Sequence, residues 1–329
     1  MRLWLSLVAL ALLSACSSPR PAPVADVKPE PYVRIYQGDT NRLELQIAIR
    51  KFEPAKQKGS VVWLTGVSHI GESNYFVQLQ AHLDAQNLVL FEGISDRSAN
   101  RPHDQHSRQP ASGGGDGPEA APAEARMSSL QSTMASSFGL AFQLEAIDYD
   151  RASFRNSDLS IQDLRRLLAE HGGGQSFESL LQMMEGGTFF DALLQMGLRF
   201  LGSTPKLQAL SKLALMEMIG QIQGDPAQVR GLPADLKQLL EVLIEKRNER
   251  VINDLRVELG RPKPVASISI FFGTGHMPDF ERRLRTELNY RPVDQLWLTA
   301  FSIDLRQARI SQTEVETIRK FVQTSLEQP

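Results

Sequence analysis

The chain reads as an α/β fold: a mostly parallel central sheet flanked by helices, with a large helical insertion between two halves that each carry a strand and a Gly-x-x-His motif. Three observations predict this. One strand–histidine unit occurs twice, as Ser-Val-Val-Trp-Leu-Thr-Gly-Val-Ser-His at 60–69 and Ser-Ile-Ser-Ile-Phe-Phe-Gly-Thr-Gly-His at 267–276. Each apolar run is short, β-branched or aromatic, and closed by glycine, as buried strands are. After the first unit, Tyr75, Phe76, Leu79 and Leu83 fall at helical spacing and a second apolar run follows at 87–91. Strand, helix, strand implies a right-handed crossover and a parallel pair. Finally, 180–259 is rich in Leu and Met and is broken at Gly and Pro clusters, which reads as several helices.

Taken in order, the chain opens with Arg2 and an apolar run at 3–13, too short to span as a mature helix and typical of a signal h-region. The run ends in Leu13-Ser14-Ala15-Cys16, the pattern of a bacterial lipobox, and Cys16 is the chain's one cysteine. Residues 1–15 are therefore expected to be a lipoprotein signal peptide, with lipid on Cys16 and Ser17 favouring the outer membrane, facing the periplasm. The Pro-, Ala- and Ser-rich 16–40 segment reads as a tether. Residues 41–96 form the first half of the core, with a strand at 43–50, the first strand–histidine unit, a helix at 72–86 and a strand at 87–91. Residues 97–126, dominated by Pro, Gly, Ser and Ala, read as a disordered insert whose His103 and His106 are bystanders.

A helix is expected at 128–140 and a strand at 143–149, within a core continuation at 127–158. Ser160 and Asp163 form a capping-box start for a helix ending at the glycines 172–174. The helical insertion spans 159–260 and its long last member carries Arg247-Asn248. In the second half of the core, 261–329, Pro278 opens a helix, 296–303 reads as a strand, and Thr313 with Glu316 caps a closing helix.

At 42% hydrophobic, 22% charged and net charge −2, the composition is that of a globular protein and gives no basic surface for nucleic acid. Chemistry gathers instead at one sheet edge. His69, Glu92 and His276 each follow a predicted strand, and open α/β sheets bind ligands at the carboxyl ends of their strands. Two imidazoles and a carboxylate suit a divalent metal or acid–base catalysis. Arg247 is expected to stabilise an oxyanion or to hold Glu92 by a bidentate contact. Asp148 is expected as a fourth ligand or base, and Gly66 and Gly273 as close-approach points. A serine-hydrolase reading of Ser68 fails because the second glycine of a nucleophile elbow would fall at Ile70.

Gly66-Val67-Ser68-His69, Phe91-Glu92-Gly93 and Gly273-Thr274-Gly275-His276, together with 143–158 and Arg247-Asn248, resemble the TraB/PrgY–GumN–Tiki family. This family belongs to a wider group with the haem-binding lipoprotein ChaN and the erythromycin esterases. The resemblance covers about 60–301 outside the insert. It implies a divalent-metal-dependent peptidase, with Mn or Co favoured over Zn, acting on a peptide or protein substrate. His69, Glu92 and His276 would be ligands or catalytic groups, and Arg247 and Asn248 would support them. The alternative it carries is haem or metal capture without catalysis, as in ChaN. The chain departs from many relatives in following His276 with Met277-Pro278-Asp279 rather than glycine.

Overall fold

A computed structural model describes residues 30–39, 41–56, 58–93, 139–170, 204–221 and 234–327. Its centre is one seven-stranded sheet made of β1 (Val33–Asp39), β2 (Arg42–Pro54), β3 (Val61–Val67), β5 (Leu88–Phe91), β7 (Phe154–Asn156), β8 (Ser267–Gly273) and β9 (Tyr290–Asp304). Ile70–Gly71 (β4) and Ala141–Phe142 (β6) pair separately as a short antiparallel ribbon. β3, β8, β5 and β7 run parallel side by side, while β2 pairs antiparallel with β1, β3 and β9. Six strands thus share one direction and β2 alone opposes them.

β2 is long enough to serve two neighbours on one edge. β1 pairs along residues 42–47 and β3 along 49–52, with β9 covering the other edge throughout. Its alternation sends Leu45, Ile47 and Ile49 to one core and Ala48 and Phe52 to a second. The first core is closed by helices α1 (Ser73–Asp84), α4 (Pro205–Gln221) and α7 (Gln312–Glu327), and the second by α5 (Ala234–Leu259) and α6 (Met277–Thr286). β8, buried from both sides, gives Phe271 to the first core and Ile268, Ile270 and Phe272 to the second. That explains its unbroken apolar run.

Both strand–histidine units form as expected, and Val67 lies opposite Gly273 in adjacent parallel strands. The other elements need correction in places. β3 and β5 are parallel but not neighbours, because β8, arriving late in sequence, is inserted between them. The strand expected at 143–149 is a short helix, α2 (Gln143–Ala146), followed by extended chain. Gln143 N donates to His69 O at 2.8 Å, a tertiary bond that turns the backbone out of register with the sheet. The tether expected to reach residue 40 gives way to β1 at Val33, since Val33 and Ile35 alternate into the core. The three-residue β7 carries too little pattern to predict.

Within 159–260 the described residues hold α3 (Ile161–Glu170), α4 and α5. α4 and α5 pack on opposite faces of the sheet rather than forming one cap. Ser160 and Asp163 form the expected capping pair at 2.8 Å and 3.1 Å. The capping box of α7 is Ser311 with Glu314, two residues earlier than expected, with Ser311 N donating to Glu314 Oε2 at 2.8 Å. The expectations for 97–126, 128–138 and the glycines 172–174 lie outside the described residues. No described helix is long and apolar enough to cross a membrane.

His82 on α1 sets its ring edge-on to Trp63 and its Nε2 lies 3.2 Å from Thr65 Oγ1. Burial pushes its pKa down from 6.5 to about 4. The unfolded chain therefore takes up this proton first. The stability held by the neutral imidazole is complete above pH about 6.5 and is lost as pH falls toward 4. Urea unfolding at pH 7 and pH 5 is expected to show a loss that shrinks by on the order of 2 kcal/mol in His82→Leu.

Candidate functional site

The carboxyl ends of β3, β8 and β5 deliver His69, Gly273 and Glu92 to one place. Glu92 N donates to Phe271 O at 3.0 Å, extending the β5–β8 pairing one residue past the strand and fixing the side chain over the edge. Its Oε2 accepts Gly273 N at 2.7 Å. A point where a Cβ would stand on Gly273 lies 3.4 Å from both Glu92 Oε2 and His69 Nε2. Glycine thus keeps open a space one methyl deep that both polar atoms border. Neither Gly66 nor Gly273 needs a left-handed backbone, and Gly66 serves packing against Ala48 O and Thr274.

α5 brings Arg247 across this edge. Its Nε and Nη2 donate to Asp158 Oδ1 and Oδ2 at 2.9 and 2.6 Å, and Nη2 also meets Glu92 Oε1 at 2.6 Å. The bidentate contact expected for Glu92 therefore belongs to Asp158, a residue that sequence reasoning did not single out. Asp158 follows β7, is fully buried, and also accepts Gly93 N at 3.1 Å. Its signal was Asn156-Ser157-Asp158, where Asn156 Oδ1 accepts Asp158 N in an Asx turn. Burial raises the Glu92 pKa, but Arg247, both histidines and the Gly273 N–H outweigh it and hold the carboxyl well below the usual range. Burial alone would lower the Arg247 pKa, and the two carboxylates hold it above its ordinary value instead.

Each histidine is held through Nδ1 by a side-chain amide. His69 Nδ1 lies 2.8 Å from Gln143 Oε1, and Gln143 Nε2 donates to Tyr149 OH at 2.7 Å. His276 Nδ1 lies 2.7 Å from Asn248 Oδ1, and Asn248 Nδ2 donates to His276 O and Asp279 Oδ2. In both amides the NH2 group is spent elsewhere, so the oxygen must accept and the imidazole must donate. Both rings thereby present Nδ1–H to their amide and turn Nε2 toward the site. His276 Nε2 lies 3.8 Å from Glu92 Oε1 and 3.4 Å from Arg247 Nη1. Burial is the main cause that takes the His276 pKa down to about 4, with Glu92 opposing and Arg247 reinforcing. His276 packs against Phe272 and Phe280, whereas His69 is exposed.

His69, Glu92, His276, Arg247 and Asn248 thus come together as the sequence predicts. Asp148 does not. It is half-exposed, pairs with Arg151 at 3.4 Å and accepts Asp150 N. The strand meant to carry it to the edge is replaced by α2 and a turn. Cys16 lies outside the described residues.

Two Nε2 lone pairs and a carboxylate are donors that fit a divalent cation, and each imidazole has the partner on its other nitrogen that metal-bound histidines require. The space beside Gly273 offers His69 Nε2 and Glu92 Oε2 to such an ion. On the His276 side the Arg247 guanidinium stands where a cation would. Accordingly, among the described residues no three His, Cys, Asp or Glu side chains are gathered at metal-binding spacing.

Imidazole 15N spectra at neutral pH are expected to show both His69 and His276 protonated at Nδ1. In Gln143→Leu, His69 alone should drift toward Nε2–H. Asp158→Ala leaves a buried guanidinium half-paired and is expected to cost about 3–5 kcal/mol in urea unfolding. Adding Arg247→Met to it should recover part of that loss.

Comparison with known protein families, with curated proteins and with solved structures found no match to this chain.

Proposed function

We propose that this chain is a divalent-metal-dependent hydrolase, of peptide bonds by its resemblance to the TraB/PrgY–GumN–Tiki family, held at the outer membrane by lipid on Cys16 and facing the periplasm. The observation that carries the reading is the pair of histidines held through Nδ1, with Nε2 of each turned toward an ionised Glu92. His69 and Glu92 would hold the metal on the open side, with His276 completing the set where Arg247 gives way. A divalent cation there supplies Lewis acidity.

The chain's own groups account for the rest. Where no ion occupies its lone pair, His69 Nε2 takes a proton from the attacking water as its oxygen bonds to the carbonyl carbon. It returns that proton to the leaving nitrogen as the C–N bond breaks. Glu92, kept ionised by Arg247, offsets the imidazolium charge in between. Arg247 has two of its three nitrogens committed to carboxylates and faces His276 with the third, so its role is to hold Glu92 rather than to bind an oxyanion.

One observation favours a second reading, acid–base hydrolysis without metal. The 2.6 Å contact of Arg247 with Glu92 already gives the carboxylate a cation. Elemental analysis separates the two, on a soluble form starting after Cys16 incubated with Mn, Co, Zn or Fe and freed of excess. Near-stoichiometric Mn or Co, lost in His69→Ala and His276→Ala with folding intact, is the expected result. Peptide hydrolysis without retained metal would favour the second reading. A haem absorption band on titration, with no turnover, would point to capture as in ChaN. The intact mass of the mature protein reports the lipid on Cys16.

A further inference from the structure

Away from the site edge, β1 and the facing parts of β2 and β9 share a sheet face that runs from Ala48, buried in the second core, out to the exposed Tyr36. The register sets Arg34 beside Gln46 and Gln46 beside Thr299, with Tyr36 beside Glu44 in the next row and Ala48 beside Trp297 in the one before. These side chains share a face, opposite Val33, Ile35, Leu45 and Ile47. α4 packs on β1 from that opposite side, through Gly220 against Ile35. On the near face Tyr36 is left 45% exposed and Trp297 partly so.

Arg34 is the centre of this face. Its guanidinium lies 4.1 Å from the Trp297 ring and 5.2 Å from that of Tyr36, and its Nε donates to Gln46 Oε1 at 2.8 Å. Glu44, the nearest acid by register, is taken up by Arg42, Gln46 and Thr299. Among the described residues no carboxylate pairs with Arg34. Among the described residues neither of its Nη groups makes a hydrogen bond, and a planar fork of donors between aromatic rings suits a phosphate.

The chain also enters the folded body at this face. Arg50, on the same side of β2, donates to Glu30 O at 2.9 Å and Pro31 O at 2.8 Å. The Tyr32 hydroxyl donates to the buried Glu281 at 2.7 Å, and Tyr32 O accepts Ala48 N, in the row of Trp297. Fourteen residues lie between Cys16 and Pro31, a span of at most about 50 Å. A bilayer holding Cys16 is therefore kept close to this face and at high effective concentration.

We propose that the β1–β2–β9 face is a docking surface for the anionic phospholipid headgroups of the bilayer that anchors the chain. The inference rests on the anchoring proposed above. Arg34 takes the lipid phosphate, and Tyr36 and Trp297 seat their rings at headgroup level, where such side chains concentrate in membrane proteins.

The test does not depend on natural lipidation. A chain beginning at Cys16 is coupled through that thiol to maleimide-headgroup lipid, in vesicles of phosphatidylglycerol and phosphatidylcholine with acyl chains brominated near the headgroup. Trp63 and Trp297 are its two tryptophans, and Trp63→Phe leaves Trp297 as the reporter. If that variant does not fold, the parent read against Trp297→Phe gives the same signal. The expected result is an at least twofold loss of Trp297 emission relative to unbrominated vesicles, largely reversed by Arg34→Glu. Equal emission in both vesicle types, with coupling complete, would overturn the proposal. So would quenching that persists when phosphatidylglycerol is omitted. Failure of the anchoring itself would show separately, as a mature protein whose mass carries no lipid.

Discussion

The sheet edge that carries the candidate site depends on one buried guanidinium. Arg247 is carried by α5, on one face of the sheet, and meets Glu92 after β5 and Asp158 after β7. Without that cation, two carboxylates would lie close together at the end of adjacent strands, and their repulsion would raise a pKa or splay the edge. With it, both carboxylates share one cation, and the loops after β5 and β7 are fixed by one side chain. A buried pair of this kind adds little net stability, since desolvation of the charges offsets most of their attraction. Its value is positional. It fixes where Glu92 stands relative to both histidines.

The order of the strands makes this convergence possible. β8 comes late in the chain yet lies between β3 and β5, so Gly273 faces His69 on one side and Glu92 on the other. A simple βαβ order would have set β3 against β5 and left the second histidine at an edge. β2 supports the arrangement from the far side. It lends half of one edge to β3 and the other half to β1, so the point where the chain enters the body and the strand that ends at His69 share a single hydrogen-bonded frame. The Arg50–Glu281 pair closes that frame against α6, the helix that begins beside His276.

Much of this was legible in the residues. The repeated strand–glycine–histidine unit pointed to both buried strands and the two imidazoles, though not to the strands' order, because a short β-branched run closed by glycine has few other uses. Glu92 was legible for the same reason. Asp158 and Gln143 were not. β7 has three residues, too few for an alternation to register, and Asp158 follows it in a turn. Gln143 lies in a stretch whose apolar pattern reads as strand, while the hydrogen bond its backbone N–H donates to His69 O, across 74 positions, decides the backbone instead. Asp148 failed with that strand. Local pattern located the ligand-like side chains, and the residues that orient them were set by long-range contacts that no window of sequence contains.

The two histidines match in spacing but not in surroundings, and the difference orders the site. After Gly273 the chain turns into a short 3-10 turn and α6, which puts His276 under Phe272 and Phe280. After Gly66 the strand runs one residue further, and His69 stands on a bend before β4, open to solvent. A buried imidazole with its pKa taken down to about 4 cannot cycle a proton near neutral pH, and nothing reaches its Nε2 without displacing Arg247. The site is therefore open to solvent on the His69 side, beside the space bordered by Gly273, while His276, Asn248 and Arg247 form the fixed wall against which that space is defined.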